Sequence, residues 1–598
     1  MTLENDQALR EIILKAALLN ALQHGGKAQA GALVGRIISE RQDLKTKAKE
    51  LASLIGTVVG EVNSLSVDEQ KQRVEEKWPE ALKKEKKAEE GEKRLPALPN
   101  VDEYKQVVTR FSPNPDCVLH LGSARAIILS HEYARLYKGK FILRFEDTDP
   151  KVKRPVLEFY DRIRDDLAWL GCKADEEYIQ SDRLPIYYKY AEQLLRDGNA
   201  YVCTCPPEQF RKKSLAKEPC DCRSQSVEEN LERWRRMLDG GYGEGEAVVR
   251  VKTDIAHPNP AVRDWPALRI IDPEKYPHPR VGSKYRVWPL YNIAAGVDDH
   301  LLGVTHIIRG KEHLTNQVRQ EYMYKHLGWK YPETIHYGRL KITGAFLSKS
   351  KIVQGIRECL YTGWDDPRLA TFAALRKRGI TADAIKKMIV DVGPKTADVT
   401  LSWETLYAYN RKLLDPKSPR YFFVSQPVKL KVKNVPKTFK AKLPLHPEKT
   451  DMGYREYTVA PEGEAVVFWV AKRDAEAAEE GKMLRLMELF NIKIAGFTRN
   501  GKKVIGKPQN FSNVTIEAAF ASEAYEDARK AKAKLIHWIP VGEEVPCRVV
   551  MPDASVDEGV AESACKKLKP DAVIQFERFG FVRVDENDAE LTVYYAHK

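Results

Sequence analysis

A chain of 598 residues exceeds what one hydrophobic core organises at roughly 100–200 residues per domain, and its 98 Lys and Arg against 85 Asp and Glu give a formal charge of +13 that suits a polyanionic partner. No run of about 18 uncharged apolar residues occurs, so no membrane-spanning helix is expected, and the acidic start MTLENDQALREII lacks the basic and apolar regions of a secretory leader. Nine cysteines, few and odd in number, argue against a disulfide framework and for a reducing, cytoplasmic setting.

Apolar residues at helical spacing in LREIILKAALLNALQ, LVGRIISE and LASLIGTVVGEV predict a small helical domain over residues 1–82. The run KKEKKAEEGEKRLPALPN, residues 83–100, reads as a solvated linker with a boundary near 95. From 101 to 345, strand-like runs (KFILRFED, EAVVRVKT, LRIIDP, THIIRG) alternate with helix-like ones (RAIILSHEYARLY, FYDRIRDDLAWLG, YYKYAEQLLRDG), which predicts an α/β architecture with parallel strands. Residues 356–415 return to a helical pattern. Beyond 420, YFFVSQPVKLKVKNV, EAVVFWVAK, KLIHWIPVG, AVIQFERFGFVRVD and ELTVYYAHK predict a mostly β end built of barrels.

Three short stretches carry chemistry. CVLHLGSARA, residues 117–126, places His120 and Gly122 where a helix begins, just after Pro113 and Pro115. One reading is a plain turn, glycine supplying backbone freedom. The other is a phosphate site, in which glycine lets the backbone and helix N-terminus approach an anion and His120 donates to it. FLSKSKI, residues 346–352, is by itself a solvated loop. Laid over a nucleotide, Lys349 would oppose phosphate charge while Ser348 and Ser350 supply directional hydrogen bonds. CTCPPEQFRKKSLAKEPCDC sets Cys203 and Cys205 fourteen residues before Cys220 and Cys222, a spacing that suits tetrahedral structural Zn²⁺; buried thiols or a disulfide pair are the alternatives.

RFSPNPDCVLHLGSARA, LRFEDTDP, PLYNIAAGVDDHLLGVTHIIRGKEHLTN and LSKSK, in this order, resemble the class I aminoacyl-tRNA synthetases, and within them the glutamyl-tRNA synthetases of archaeal type. The resemblance covers residues 101–420 and, through LIHWIP and QFERFGF, the C-terminal β region. HLGS resembles the family's HIGH signature, with Ser123 in place of its last His. FLSKSKI resembles the KMSKS loop, with Phe346 in place of its first Lys, so catalytic work there rests on Lys349.

The resemblance implies a multidomain α/β plus all-β fold: a helical N-terminal appendage with its charged linker (1–95), a Rossmann-type catalytic domain in two halves (96–200 and 286–355), an acceptor-binding insertion with the four-cysteine zinc site (201–285), a helical connector (356–420) and anticodon-binding β-barrels (421–598). It further implies that L-glutamate attacks ATP to form glutamyl-adenylate and that tRNA(Glu), with tRNA(Gln) a second candidate, takes the acyl group, Mg²⁺ sharing the phosphate charge. His120, Gly122 and Lys349 are then catalytic, and Pro113, Ser123, Ser348 and Ser350 join them around ATP. Arg110, Ser112, Glu146, Tyr291 and Arg309 surround the amino acid, the arginines reading the γ-carboxylate and Glu146 the ammonium. Asp147 and Asp149 stay open to a structural role. A monomer is expected. The alternatives are a glutaminyl enzyme, which would carry a smaller uncharged residue at 309, and a catalytically silent tRNA-binding protein.

Overall fold

The computed structural model describes residues 6–23, 26–31, 33, 34, 37, 48–78, 95–344, 349–463 and 465–598. Residues 83–94 of the expected linker and most of LVGRIISE lie outside them. The chain forms two compact units, Met1–Lys93 and Arg94–Lys598. In the first, helices Gln7–Gln23, Ala48–Asn63 and Val67–Lys77 bury Leu9, Ile13 and Ala17 together with Leu51, Ile55 and Val58. The third helix opens with a reciprocal cap: Glu69 N–H donates to Ser66 Oγ, and Ser66 N–H donates to the Glu69 carboxylate.

In the second unit, β1 (Val108–Phe111), β2 (Lys140–Phe145) and β3 (Glu176–Ile179) pair in parallel in that order, connected by helices Ala124–Leu136 and Leu157–Trp169. Strands covered on both faces need near-continuous apolar runs, which is why KFILRF shows no alternation. The next four strands, β4 (Ala200–Cys203), β5 (Val248–Val251), β6 (Pro266–Ile270) and β7 (Val287–Pro289), form a separate antiparallel sheet. EAVVRVKT and LRIIDP are β5 and β6, so two runs expected in the parallel sheet do not belong to it. No crossover helix separates β5, β6 and β7, and neighbours joined without one must reverse direction.

The chain returns to the first sheet with β8 (His306–Gly310) and its parallel partner β9 (Glu333–Tyr337). Thr305 N–H donates to Val108 O at 2.9 Å, which sets β8 beside β1, on the side away from β2. Strand order therefore changes direction between β1 and β8, the place where open α/β sheets bind ligands.

Helices Phe372–Lys377, Ala382–Val392 and Trp403–Leu414 lead into the C-terminal β region. Its two large sheets each close through one bent segment. Arg420–Tyr421 pairs with Val573–Phe576 at one edge and, past Phe422, Phe423–Ser425 pairs with Val556–Glu562 at the other. Lys534–Ile536 and Ile539–Pro540 pair in the same way with Met483–Leu486 and Ala465–Ala471. Both sheets are barrels for that reason, with no long open edge. Phe422 and His537, each at the bend of its segment, stack with ring centroids 4.5 Å apart. Among the described residues no helix is long and apolar enough to cross a membrane.

Candidate active site

A cavity of about 140 Å³ opens at the C-terminal ends of β1 and β8. Arg110, Ser112, Glu146, Tyr291 and Arg309, all five residues expected around the amino acid, line it together with Glu312, His313 and Tyr337. Arg110 stands in β1 and Arg309 in β8; the two residues share a cavity but differ in their partners.

Arg110 is clamped by a carboxylate. Its Nε and Nη2 donate to the two oxygens of Asp299 at 3.0 and 3.2 Å. Arg144, in β2, donates to the same Asp299 at 2.7 Å and to Glu146 at 2.9 Å. Asp298 accepts from Arg183 at 2.8 Å and from the Tyr187 hydroxyl at 2.7 Å. Both aspartates sit on the buried helix Tyr291–Leu301. Burial alone would raise the Asp299 carboxyl, but Arg110 and Arg144 hold it down at about 2.

Arg309, 5 % exposed, meets only neutral groups. Its Nη1 donates to Gln320 Oε1 at 3.2 Å and its Nη2 to the Tyr331 hydroxyl at 2.8 Å. Its buried Nε has no partner among the described residues, and neither has the Ser112 hydroxyl. Three guanidiniums (Arg110, Arg144 and Arg183) thus meet three carboxylates (Glu146, Asp298 and Asp299), while Arg309 pairs with none of them and Glu312 lines the same cavity. Burial holds the Glu146 carboxyl above its ordinary value, against the pull of Arg144 and Arg110. Burial, helped by Arg309, drives His313 down to about 4, so it is neutral near pH 7 and adds no charge. The charges of such a cavity suit a ligand with a cationic group beside Glu146 and an anionic group beside Arg309.

The HLGS loop runs from the end of β1 towards the helix Ala124–Leu136. Leu121–Ser123 is a 3-10 turn, and Gly122 does not take the positive φ that a plain glycine turn would use. His120 Nδ1 accepts from Gly122 N–H at 3.0 Å, which leaves the ring proton on Nε2 as a donor. Burial keeps this ring below its ordinary pKa and therefore neutral. The loop is tied on both sides of His120: Leu121 N–H donates to Ala370 O and Phe372 N–H to Leu119 O. Arg125 clamps the start of the helix by donating to Gly338 O at 2.6 Å and Gly393 O at 2.7 Å. Pro113 O accepts from Glu146 N–H at 2.9 Å, which joins the segment leading to HLGS to the cavity. Ser123 makes no capping hydrogen bond with its side chain. Phe346 and Ser348 lie outside the described residues; Lys349 and Ser350 open the helix Lys349–Arg357, and their side chains are likewise outside the description.

Asp147 and Asp149 resolve as structural. Asp147 is fully buried and accepts from the Tyr160 hydroxyl, Ser181 N–H and the Ser181 hydroxyl at 2.6–2.8 Å. Asp149 accepts from the N–H groups of Lys151 and Val152.

The four expected thiols also converge. Cys203 and Cys220 sulfurs are 3.5 Å apart, Cys205 and Cys220 3.2 Å, Cys205 and Cys222 3.7 Å. A tetrahedron with metal–sulfur bonds of about 2.3 Å has sulfur edges of about 3.8 Å, so the donor set fits Zn²⁺. Burial raises the Cys222 thiol, but the Thr204 N–H and hydroxyl, Cys205 and Arg233 bring it down to about 7.

Sequence reasoning missed Arg144, Asp298, Asp299, Gln320 and Tyr331. A signal existed for some of them: Arg144 interrupts the apolar run FILRF, and Asp298 and Asp299 interrupt IAAGVDDHLLGV, and charges inside apolar runs must find partners. Gln320 and Tyr331 carry no such mark.

Comparison with known proteins places this architecture. The family described as tRNA synthetases class I (E and Q) matches in three places, its catalytic domain at residues 106–416 and its anti-codon binding domains at 418–509 and 535–585. The chain belongs to that family. Among curated relatives, the glutamate–tRNA ligase of Pyrococcus abyssi is 52 % identical over 594 residues, covering 99 % of this chain and all of that one. The glutamate–tRNA ligase of Pyrococcus furiosus is 51 % identical over 596 residues and that of Hyperthermus butylicus 45 % over 595, each again covered in full.

Proposed function

We infer that this chain joins L-glutamate to tRNA in two ATP-dependent steps. Its relatives over the full length are glutamate–tRNA ligases. The observation that carries the choice of glutamate is Arg309, a buried guanidinium held by an amide and a phenol and left without a carboxylate. A γ-carboxylate supplies the missing negative charge, whereas a glutamine amide would leave it missing and set donor against donor.

In the first step the glutamate α-carboxylate attacks the α-phosphorus of ATP and diphosphate leaves. In the second, a terminal ribose hydroxyl of tRNA attacks the acyl carbon and AMP leaves. Neither needs a protein nucleophile, so the protein contributes position and electrostatics. Glu146 takes the ammonium, Arg309 the γ-carboxylate, and Tyr291 and Ser112 flank the side chain. His120 donates from Nε2 to a phosphate, Gly122 lets the backbone approach, and Pro113 and Ser123 border the nucleotide. Ser348, Lys349 and Ser350 approach the phosphates from the second loop, Lys349 opposing charge as diphosphate departs. Mg²⁺ bound with ATP would share that charge. Cys203, Cys205, Cys220 and Cys222 would hold Zn²⁺, which would staple residues 201–285, where the tRNA acceptor end is received. The barrels beyond 420 take the anticodon. The protein works as a monomer in the cytoplasm.

The deciding experiment is aminoacylation of purified tRNA(Glu) and tRNA(Gln) with labelled glutamate, alongside ATP–diphosphate exchange with tRNA present. Glutamate-dependent exchange and charging of tRNA(Glu) are expected. Exchange driven by glutamine instead points to a glutaminyl enzyme, and none with either amino acid to a silent tRNA-binding protein. Elemental analysis should find about one zinc per chain, as a single tetrahedral thiolate site requires.

A further inference from the structure

We propose that Gln320 and Tyr331 are positioning residues that set amino-acid selectivity: they hold Arg309 with neutral groups, so that its charge is kept for the substrate's side-chain carboxylate. The proposal rests on the cavity being the glutamate site.

The two arginines of the cavity make the argument. Each is buried at the end of one of two adjacent strands, and each must be fixed to recognise anything. Arg110 is fixed by Asp299, which spends its charge. Arg309 is fixed just as fully but without expenditure. Gln320, fully buried on the helix Leu314–Leu327, gives its amide oxygen to Arg309 Nη1 at 3.2 Å and to the Tyr331 hydroxyl at 2.7 Å. Tyr331 in turn accepts from Arg309 Nη2 at 2.8 Å. The three side chains close a triangle of hydrogen bonds in which only the guanidinium is charged. Burial raises the Tyr331 phenol to about 12, so it adds no negative charge near neutral pH.

A guanidinium has five N–H groups, and this triangle engages only two of them. The buried Nε–H is without a partner among the described residues. The geometry therefore does two things together. It stops Arg309 from swinging, and it preserves both the charge and the N–H groups that a carboxylate would take. A carboxylate in place of either neutral partner would hold Arg309 equally well and cancel the selectivity.

The test is ATP–diphosphate exchange with tRNA present, measuring KM and kcat for glutamate, glutamine and ATP. Gln320→Glu keeps the side-chain length and adds a carboxylate beside Arg309. It should raise the glutamate KM by about 10- to 100-fold with kcat within a few-fold, leave the ATP KM unchanged, and leave the glutamine KM unchanged or lower. Gln320→Met and Tyr331→Phe loosen Arg309 without adding charge. They should raise the glutamate KM by only about 2- to 10-fold and keep the preference for glutamate. Should Gln320→Glu not fold, Tyr331→Phe decides: a rise in glutamate KM with glutamine untouched supports the proposal. Equal losses on both amino acids overturn it, as does a Gln320→Met variant whose selectivity falls as far as that of Gln320→Glu. A parent enzyme without glutamate-dependent exchange refutes the reading of the site. An active parent whose Gln320→Glu variant keeps its selectivity refutes this inference alone.

Discussion

The cavity at the ends of β1 and β8 and the junction of the two barrels both bury arginine, and they solve the problem differently. At the junction, Arg455 pairs with Glu562 at 2.9 Å and Glu577 at 3.3 Å and lies over the Phe422 ring at 4.8 Å. The second oxygen of Glu562 accepts from the Tyr457 hydroxyl at 2.9 Å. Every buried charge there has an opposite beside it. In the cavity, Arg110 and Arg144 are compensated in the same way by Asp299 and Glu146, but Arg309 is not. A buried charge is costly unless something balances it. Where the protein supplies the whole balance the cluster builds the fold; a guanidinium held by neutral groups alone stays able to meet a carboxylate from outside.

The largest effect that could break this contrast is on stability. Arg455→Ala strands Glu562 in the interior and should cost about 3–5 kcal/mol in the unfolding of the C-terminal region. The ratio of glutamate to glutamine use should not move. Denaturant unfolding followed by exchange assays on the surviving folded protein measures both, and a changed ratio would show that the junction is not a closed structural cluster.

Next comes selectivity. Arg309→Ala should lower kcat/KM for glutamate by about 30-fold to several thousand-fold, the usual cost of truncating one side of a buried charged contact. Glutamine should lose far less, and ATP binding should stay near that of the parent. Arg319→Ala, on the following helix where its Nε donates to Ala261 O, should be milder and is the control. If the Arg309 variant loses both amino acids by one factor, Arg309 belongs with Arg455 as a structural cation.

Legibility in the sequence divides along the same line. HLGS, the end of THIIRG, the C-x-C pairs and the parallel core could be read because each is local: a few adjacent residues carry the chemistry or the period. The compensation of charge could not, because Arg110 and Asp299 lie 189 positions apart and only folding shows which cations are already spent. Barrel closure was hidden for a similar reason, since it depends on one bent segment pairing with two distant strands. The strands Phe439–Pro444 and Tyr454–Val459 were local and still went unread, although their alternating exposure is a clear period of two.

Acid offers the finest test, because two groups at the junction respond to it in opposite directions. In the cavity, Asp299 is held at about 2 and His313 at about 4, while burial holds Glu146 above its ordinary 4.5, so the cavity's own response to mild acid runs through Glu146. At the junction, burial raises Glu562 to about 7 from an ordinary 4.5, Arg455 and Tyr457 resisting and Glu577 assisting. Burial also drives His537 down to about 3 from an ordinary 6.5, with Arg578, Arg473 and Arg455 assisting and Asp474 resisting. Folded Glu562 takes up its proton before the unfolded chain does, so its contribution to stability grows as pH falls from about 7 to 4.5. Folded His537 refuses the proton that the unfolded chain accepts at 6.5, so its contribution is lost as pH falls from 6.5 towards 3. Each slope is at most about 1.4 kcal/mol per pH unit, and over the shared window they oppose each other. These two groups should therefore leave the parent's stability nearly flat between pH 6.5 and 4.5. His537→Phe keeps a ring against Phe422 and removes one of the slopes. The variant should gain stability on acidification, by up to about 1.4 kcal/mol for each pH unit, in denaturant unfolding of the C-terminal region. A variant whose profile follows the parent's would mean that the junction does not titrate through this pair.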